Sequence, residues 1–475
     1  MHDMKTMVLK TAIPLCVGIT IALIPVPNGL APNAWFFFAI FTTVVLGLIM
    51  EPIPAAAIGL IGLTVAAALL LVEPTPKASI QWALGGFSNS TVWLIFAAFN
   101  FSLGYRNTGL GRRLGLHLVK TLGSSTLGLG YAVALSDALL APFMPSNTAR
   151  SGGTIYPLIR NIPEMYGSAP GKTARRFGAY IMWTSLAVTC ITSSMFMTGL
   201  APNLLALDLI KQTVNIDISW TAWLIGFLPV GVILVIATPF FIYKIYPPQI
   251  KANKQIPAWA RSELTKMGKM TVKEWMWAGL ALLGLALWIF GQNFVNATTV
   301  ALIVICLMLS SGIVSWDDIM KNRQAWNALV WFATLVSMAG GLAKVGFAHW
   351  LANGAALIFS GIPPVLVIVL LVAVFFFTHY MFASITAHTT AMLPVFLAAG
   401  AAIPGMNVQV LVLLLAYSLG IMGILTPYAT GPSPIYFGSG YISRKDFWLL
   451  GLIFGTIFLV LLLVLGTPYL LAIYR

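Results

Sequence analysis

Long apolar runs recur along this chain, and they constrain its fold more than any other feature. A helix needs about 20 predominantly apolar residues to cross a bilayer. Backbone groups in hydrocarbon must be satisfied within the segment, which isolated strands cannot do. The sequence therefore predicts an all-α polytopic membrane protein with about eleven transmembrane helices. The clearest runs lie at 8–26, 33–50, 54–73, 220–243, 275–291, 296–314, 364–382, 407–425 and 447–472.

Charged residues are scarce and mostly positive. They make up 8% of the 475 residues, against about 25% in soluble domains, so membrane lipid must surround most of the chain. The net charge of +14 is concentrated in two loops beside apolar runs, 160–176 and 244–273. Short cytoplasmic loops are rich in Lys and Arg, which places both loops inside the cell without invoking a nucleic acid partner. We expect a multi-pass protein of the cytoplasmic (inner) membrane.

The sequence carries no catalytic or metal-binding pattern. Cys16, Cys190 and Cys306 lie far apart in apolar stretches, so neither a disulfide nor a zinc site is predicted. A Walker lysine, an HExxH motif and a GxSxG motif are absent, which excludes direct ATP drive within this chain. We therefore expect no enzyme activity, no cofactor and no bound metal.

Two apolar regions, 126–165 and 363–400, are interrupted at their centres by polar and helix-breaking residues. Each region is too broken for one straight span and long enough for two half-helices that meet at a polar tip. Re-entrant hairpins are the economical interpretation, because irregular backbone at membrane depth must be surrounded by protein or water. The interruptions are Pro142, Pro145, 146–148 and 152–153 in the first region, and 384–386, His388 and 389–390 in the second.

The two broken regions belong to an internal repeat. Residues 146–150 align with residues 384–388 at a displacement of 238 positions, and residues 199–203 align with residues 429–433 at a displacement of 230. Broken segments in corresponding positions of two halves are the sequence sign of a transporter's binding site.

A weaker match pairs Gly109 with Gly346, and the basic loop 244–274 lies between the two halves. The second repeat carries fewer basic residues, so we expect it to be inverted in the membrane. The first hairpin would then enter from the cytoplasm and the second from outside. An odd number of spans would leave Arg475 outside.

Polar residues at the two hairpin tips are the candidate substrate site. Half-helix N-termini have free amides and the positive end of the helix dipole, so two such ends at mid-membrane favour an anion. Hydroxyl and amide groups can donate hydrogen bonds to carboxylate oxygens. The alternative is that these small polar residues only let helices pack closely. The predicted site residues are Ser146, Asn147, Thr148, Ser384 and Thr386, supported by Asn203 and Thr430.

Arg150 and His388 occupy equivalent positions in the two repeats. An ionisable residue within a membrane is by default a functional candidate. The alternatives are that Arg150 reaches the cytoplasmic surface and that His388 is a neutral packing residue. Asp137 is the only acid that the sequence places well inside a membrane segment. Its partner is Arg150 or another base, and a structural role is the favoured interpretation. His379 is interpreted as a packing residue.

At this point the chain resembles the divalent anion/sodium symporter (DASS) family along its whole length. The resemblance rests on the doubled Ser-x-Thr tips and on the runs 144–153 (MPSNTARSGG), 426–432 (TPYATGP), 51–54 (EPIP) and 109–113 (GLGRR). It looks closest to the exchanger branch, which contains bacterial citrate/succinate and tartrate/succinate antiporters and plastid 2-oxoglutarate/malate translocators.

The resemblance implies a homodimer in which a mobile transport domain moves like an elevator against a fixed scaffold, with both tips touching substrate carboxylates. It places scaffold helices in 1–125 and 275–360, and transport elements with their hairpins in 126–220 and 361–445. The residues 221–274 form a connecting span and basic loop, and 446–475 form the last transmembrane helix.

The sequence departs from the sodium-coupled members of the family. Those members repeat Ser-Asn-Thr at the second tip, where Ile385 replaces the Asn here, and Leu200 and Ala201 stand where they carry a small polar residue. Sodium is therefore not expected to be carried. We hypothesise that Arg150 and His388 place fixed positive charge near the tips instead. An empty carrier would then hold uncompensated charge and cross the membrane slowly, which makes exchange obligatory.

The expected function is sodium-independent exchange of small dicarboxylates such as 2-oxoglutarate, malate, succinate or fumarate. Antiport of citrate or tartrate against succinate is the near alternative, and a sodium-coupled dicarboxylate symporter is another. A channel would need a continuous polar pore, whereas two hairpins favour alternating access. The substrate pair, the charge moved per cycle and the direction of exchange are left open by the sequence.

Overall fold

A computed structural model of the protein describes residues 2–358 and 361–474, and within those ranges it is helical without any strand. The predicted all-α membrane fold is confirmed. The expected position of Arg475 lies outside the described residues. Among the described residues, eight segments are long and apolar enough to cross a membrane, namely 32–50, 76–108, 126–143, 220–245, 272–290, 323–344, 364–381 and 444–473.

The helices occur in the same order twice. The first set follows the N-terminal helix His2–Leu23 and consists of Pro32–Met50, Ala55–Ala68, Pro76–Leu84, Ser90–Thr108, Leu110–Leu122, Thr126–Leu140, the π-helical turns Thr148–Ile155 leading into Tyr156–Ile159, then Ile162–Met165, Gly178–Met195, Ala201–Val214 and Trp220–Ile245.

After a connecting helix, Gln255–Met267, the second set repeats this order. It consists of Val272–Phe290, Ala297–Ser310, Trp316–Lys321, Arg323–Lys344, Phe347–Ile358, Pro364–Thr378, Ile385–Ala401, Val408–Ile421, Ser433–Gly438 and Arg444–Leu461, which continues through Leu462–Gly466 into Thr467–Ile473. Short 3-10 turns lie at Gly85–Ser88, Ala141–Phe143, Ala174–Arg176, Met197–Gly199, His379–Met381 and Met422–Ile424.

Two hairpins and two broken helices occur in this order. The first hairpin is 126–159 and the second hairpin is 364–401. The first broken helix joins Gly178–Met195 to Ala201–Val214, and the second broken helix joins Val408–Ile421 to Ser433–Gly438. Eleven spans remain in the described part of the chain, as predicted, when each broken helix counts as one span and the hairpin arms and the shorter helices Leu110–Leu122, Gln255–Met267 and Phe347–Ile358 are left out. They lie at 2–23, 32–50, 55–68, 90–108, 178–214, 220–245, 272–290, 297–310, 323–344, 408–438 and 444–473.

The weak match between Gly109 and Gly346 has a conformational cause. Gly109 follows Ser90–Thr108 and has a φ of +79°, while Gly346 follows Arg323–Lys344 and has a φ of +82°. A left-handed residue ends many helices, and glycine adopts that conformation without a steric cost. The two glycines therefore end equivalent helices of the two repeats.

The packing joins helices of the two repeats. Arg323–Lys344 packs against Ala55–Ala68 and Ser90–Thr108, and Ala297–Ser310 packs on Ser90–Thr108. The first broken helix packs against Trp220–Ile245, against the second broken helix and against both hairpins. The division into scaffold and transport domains remains a prediction.

A buried ion pair fastens the helix before the first hairpin to the connecting loop. The Arg113 guanidinium donates to both carboxylate oxygens of Glu274, at 2.6 and 3.2 Å, and to the Gly268 carbonyl at 2.8 Å. Glu274 also completes a capping box with Thr271 at the start of Val272–Phe290. Bidentate pairs of this kind fix orientation as well as distance, so the base of the first hairpin is held firmly.

Candidate functional site

The tip of the first hairpin is shaped by its prolines. Thr126–Leu140 ends in the turn Ala141–Phe143, and the chain then runs extended at Met144 before the π-helical turns begin at Thr148. Proline lacks an amide donor and disfavours a helical conformation in the residue before it, so Pro142 and Pro145 stop the helix here. The Ser146 hydroxyl accepts from the Ala149 amide at 3.2 Å and starts the return arm.

This tip is fastened to the break in the first broken helix. The Ala201 amide donates to the Pro145 carbonyl at 2.7 Å, and the Thr198 hydroxyl donates to the Pro142 carbonyl at 2.6 Å. Both carbonyls belong to prolines that interrupt the hairpin, and their donors belong to the break in another helix. Each irregular backbone segment thereby satisfies the other, which buried polar groups require.

Arg150 is the centre of this junction and is fully buried. Its guanidinium donates to the carbonyls of Met144 and Gly199, each at 2.7 Å, and to the Ser193 hydroxyl at 2.9 Å. Its Nε lies 3.1 Å from a carboxylate oxygen of Asp137. The side chain therefore binds the tip, the break and the incoming arm of the hairpin together.

The Asp137 ion pair changes the interpretation of Arg150. The alternative that Arg150 reaches the cytoplasmic surface is wrong, because the side chains of Arg150 and Asp137 are 0 and 1% exposed. Pairing with Asp137 is confirmed, and the pair carries no net formal charge. The expectation that Arg150 presents uncompensated positive charge is therefore wrong for this conformation. Thr192 also donates to Asp137, to the same oxygen, Oδ2, that faces Arg150.

The tip of the second hairpin has a simpler helix start. Ser384 is the N-cap of Ile385–Ala401, and its hydroxyl accepts from the Ala387 amide. Ile385, which replaces the Asn of the first tip, is 4% exposed and packs into the apolar core. The second tip therefore presents the hydroxyls of Ser384 and Thr386, which are both partly exposed.

The two histidines of the second hairpin have polar partners on one side and aromatic rings around them. His388 is buried against Phe375 and Phe382, and its Nε2 lies 3.0 Å from the Thr378 hydroxyl. His379 is also buried, with ring centroids 5.2 Å from His388. No ion pair of either histidine occurs within residues 2–358 and 361–474, so the described contacts fix no charge on them.

A turn of the second broken helix connects the two hairpins. His379 Nε2 lies 2.9 Å from the Ala429 carbonyl, and because a carbonyl only accepts, this nitrogen carries the proton. The next residue, Thr430, accepts from the Asn147 amide at 2.7 Å. A side chain at Gly431 would overlap Thr148. The interpretation of His379 as a packing residue is incomplete, because His379 also links the second hairpin to the turn that the first tip contacts.

The predicted site residues divide by exposure. Ser146 and Thr148 on the first tip are partly exposed, as are Ser384 and Thr386 on the second. The other three are buried and engaged: Asn147 is bonded to Thr430, and Asn203 donates to the carbonyls of Ser193 and Phe196 at 2.7 and 3.2 Å. The contacts bring Asn147, Thr148 and Thr430 together, while Asn203 braces the break of its own helix.

Besides Asp137 and Glu274, the structure buries a further acid, Asp208, that the sequence analysis does not single out. Asp208 lies in Ala201–Val214 and is 6% exposed. Its carboxylate accepts from the Asn89 amide at 2.6 Å and from Gln212, and Asn89 is itself the N-cap of Ser90–Thr108. Asp137 is therefore not the only acid within the membrane segments. The sequence signal that could have found Asp208 is the helical pattern from Pro202 to Gln212, which places this acid within a helix and not in a loop.

The chain matches transport proteins along its whole length. Residues 5–474 match the family described as the sodium:sulfate symporter transmembrane region. The chain is 48% identical over 479 residues to the citrate/succinate antiporter of Escherichia coli strain K12, with 98% of each chain covered. It is 47% identical over 466 residues to the L-tartrate/succinate antiporter of the same strain, with 95% of this chain and 96% of the relative covered. The resemblance predicted from the hairpin motifs is confirmed.

The fold also has a solved counterpart. The crystal structure of the Alcanivorax borkumensis YdaH transporter overlaps with a TM-score of 0.60 at 15% identity, covering 87% of this chain and 97% of that one. At this identity the likeness concerns the fold alone, and it supports the helical membrane architecture described above.

Proposed function

The chain belongs to the family of the sodium:sulfate symporter transmembrane region, and from this premise we propose that it is a secondary antiporter that exchanges small carboxylates across the cytoplasmic membrane. Succinate is one member of the proposed substrate pair. The other is a C4–C5 dicarboxylate such as 2-oxoglutarate, malate or fumarate, or else citrate or tartrate. The proposal concerns transport without covalent chemistry.

One observation carries this proposal. The two relatives described above are both antiporters, both names include succinate, and the chain covers at least 96% of either relative. What differs between their names is the second carboxylate. Identities of 48% and 47% do not favour one over the other, so the counter-substrate is the property that needs measurement.

We place the substrate carboxylates at the two hairpin tips. A C4 dicarboxylate carries one anionic group at each end, and each tip offers partly exposed hydroxyls at the start of a helix, Ser146 and Thr148 on one and Ser384 and Thr386 on the other. Helix N-termini attract anions through free amides and the helix dipole. Asn147, Thr430 and Asn203 would act through the position of the tips, because their side chains are already engaged.

The charge that makes exchange obligatory needs a revised account. The Asp137–Arg150 pair is neutral, so we propose that the positive potential of the empty site comes from the helix N-termini at the tips, with Arg150 holding one of them in place. His388 keeps its proposed charge-compensating role only in its protonated form. A bound dicarboxylate would offset this potential and let the loaded carrier move, which makes exchange the favoured mode.

We further propose that transport needs no sodium, moves by an elevator mechanism and takes place in a homodimer. The buried Ile385 supports the first point, since an apolar side chain occupies the position equivalent to Asn147. The other two points are carried over from the family resemblance. A sodium-coupled symporter is the second candidate function, because the family description names sodium symport.

Uptake of radiolabelled succinate into proteoliposomes tests the proposal. The vesicles are loaded with succinate, citrate, tartrate, 2-oxoglutarate or buffer alone, and external sodium is replaced by choline. We expect rapid uptake only into vesicles that contain a carboxylate, unchanged in choline, with the strongest counter-substrate identifying the pair. The variant Thr386→Val removes a tip hydroxyl at nearly constant volume, and we expect it to raise the KM for succinate about tenfold.

Two results would contradict the proposal. Uptake into empty vesicles that requires a sodium gradient would identify a symporter. Uptake that is equally fast with and without internal carboxylate, and independent of sodium, would identify a uniporter or channel. A matched variant, Thr298→Val, changes a threonine outside the site whose hydroxyl donates to the Ser90 carbonyl, and it should leave the KM unchanged.

A further inference from the structure

Two sets of basic residues near the connecting loops differ in their surroundings. In the first set, Arg112 and Lys266 both pair with Glu263, and Arg113 pairs with Glu274. The second set, which we call the basic cluster, consists of Arg175, Arg176, Lys244 and Lys251. None of these four residues forms an ion pair among the residues that the structure describes. The first set is thus paired with acids of the protein, three cations with two carboxylates, and the basic cluster is not.

Backbone contacts hold the basic cluster together despite the repulsion between its charges. The Gln249 amide donates to the Arg175 carbonyl and the Ile250 amide to the Arg176 carbonyl, each at 2.9 Å. These bonds join the loop before the first broken helix to the chain that leaves Trp220–Ile245. Lys251 follows directly, so the four cations are gathered by two segments distant in sequence.

Three of the four cations also rest on aromatic rings at the end of that span. The Arg175 guanidinium lies 3.7 Å from the ring centroid of Tyr246. The Lys251 ammonium lies 5.9 Å from that of Tyr243, and the Lys244 ammonium lies 5.5 Å from that of Phe240. Cation–π contacts orient a cation without neutralising it. Asp446 accepts from the Tyr246 hydroxyl at 2.9 Å but forms no ion pair with the four cations within the described residues, so the cluster keeps an excess of positive charge.

The basic cluster adjoins an apolar surface of the same helix. Ile236, Phe240, Phe241 and Ile245 are 58, 41, 37 and 45% exposed, and they lie within three turns of Lys244 on Trp220–Ile245. In a membrane-spanning helix such a surface faces lipid chains, and the end of the span lies at headgroup depth. Positive charge and hydrocarbon contact are therefore offered side by side, which suits an amphiphile with an anionic head.

We propose that the basic cluster is a binding site for the headgroup phosphate of an anionic membrane phospholipid, whose acyl chains lie along the exposed face of Trp220–Ile245. A soluble phosphate or dicarboxylate would use only the charges, whereas the phospholipid uses both surfaces. Basic residues beside an anionic membrane surface contribute on the order of fivefold each in affinity. Binding here would join the loop before the first broken helix to the end of the span, and so stabilise the base of the transport elements.

Thermal unfolding of the purified full-length protein in detergent tests this proposal, with phosphatidylglycerol or phosphatidylcholine added in matched amounts. We expect phosphatidylglycerol to raise the melting temperature of the wild type, and phosphatidylcholine to do so much less. The variant Lys244→Gln/Lys251→Gln should need at least tenfold more phosphatidylglycerol for the same shift. The matched control Arg112→Gln/Lys266→Gln removes the same number of exposed positive charges from the first set, which is paired with acids, and should respond like the wild type.

The remaining outcomes are decisive as well. The charge-preserving variant Lys244→Arg/Lys251→Arg should keep the response, and a monodisperse size-exclusion profile of each variant shows that folding is intact. An equal loss in the control variant would overturn the proposal, because general electrostatic attraction would explain it. An equal shift from inorganic phosphate or glycerol phosphate would identify a soluble anion site, and the absence of any phosphatidylglycerol effect on the wild type would also refute the proposal.

Discussion

The buried pair of Asp137 and Arg150 gives the sharpest prediction, and the perturbation is Asp137→Asn. The substitution keeps the shape of the side chain and an oxygen that can accept from the Arg150 Nε, but it leaves a buried guanidinium without its counter-ion. Breaking a buried ion pair by removing one partner costs about 3–5 kcal/mol. An unfolding entropy of roughly 2 cal/mol/K per residue amounts to about 1 kcal/mol/K for 475 residues. The expected fall in melting temperature is therefore about 3–5 °C.

Arg150→Met should cost more than Asp137→Asn. It leaves Asp137 buried without its cation, and it also removes the donor from the carbonyls of Met144 and Gly199. A buried acceptor without a partner costs about 1–3 kcal/mol, so a fall of roughly 5–10 °C is expected. The double variant Asp137→Leu/Arg150→Met removes the stranded charge and should melt above Arg150→Met alone, because effects within one network are not additive.

Melting is followed by tryptophan fluorescence in detergent, and succinate exchange is measured on the same preparations. If Arg150 acts by holding the first tip, Asp137→Asn should raise the KM for succinate along with the loss of stability. If Arg150 acts instead as a fixed charge for the substrate, Asp137→Asn would unmask that charge and lower the KM. A melting temperature within 1 °C of the wild type for Asp137→Asn, or a double variant that melts no higher than Arg150→Met alone, would refute the reasoning about the buried pair.

Three further predictions concern the second hairpin. His379→Asn retains a donor for the Ala429 carbonyl and should keep a substantial part of the succinate exchange rate, whereas His379→Leu should lower it about tenfold; equal losses would show that the hydrogen bond is unimportant. Ser384→Ala removes the N-cap of Ile385–Ala401 and should cost about 1 kcal/mol of stability and also raise the KM for succinate, while a change in melting temperature alone would leave Ser384 with a structural role. Ile385→Asn restores the polar residue of the first tip, and we expect uptake to become sensitive to sodium; uptake that stays equal in sodium and choline would show that this position does not decide coupling.

Hydropathy predicted the fold well where helices are apolar and missed it where polar groups satisfy one another across the chain. Ser90–Thr108, Gly178–Met195 and Arg323–Lys344 were absent from the clearest apolar runs although each is a long helix. In the first of them, Asn100 donates to the carbonyl one turn earlier and accepts from Asn322 at 3.0 Å. Such pairings make a polar residue compatible with the interior, and they depend on residues that are distant in sequence.

The repeat motifs located both hairpin tips, because proline, serine and threonine interrupt a helix through local backbone chemistry. They did not indicate which tip residues would be free and which would be engaged. Asn147 and Thr148 are neighbouring small polar residues. Asn147 is buried and bonded to Thr430, whereas Thr148 is partly exposed beside Gly431. That difference is set by the second broken helix, almost three hundred residues away, and a single sequence carries no local sign of it.

The contacts divide the candidate site unequally between the parts of the molecule. The first tip is bonded to both broken helices, through Arg150 and Gly199 on one side and through Asn147 and Thr430 on the other, so these elements should move as one body. The second hairpin is also bonded to the second broken helix, through His379 and the Ala429 carbonyl. Its tip differs, since Phe382 beside it belongs to the same apolar cluster as side chains of Pro32–Met50 and Arg323–Lys344. Apolar contacts are non-directional and can be exchanged for others of similar area, whereas a satisfied polar junction cannot slide without leaving buried groups unpaired. Any movement that carries the site across the membrane should therefore preserve the first tip's hydrogen bonds and renew the packing around the second tip.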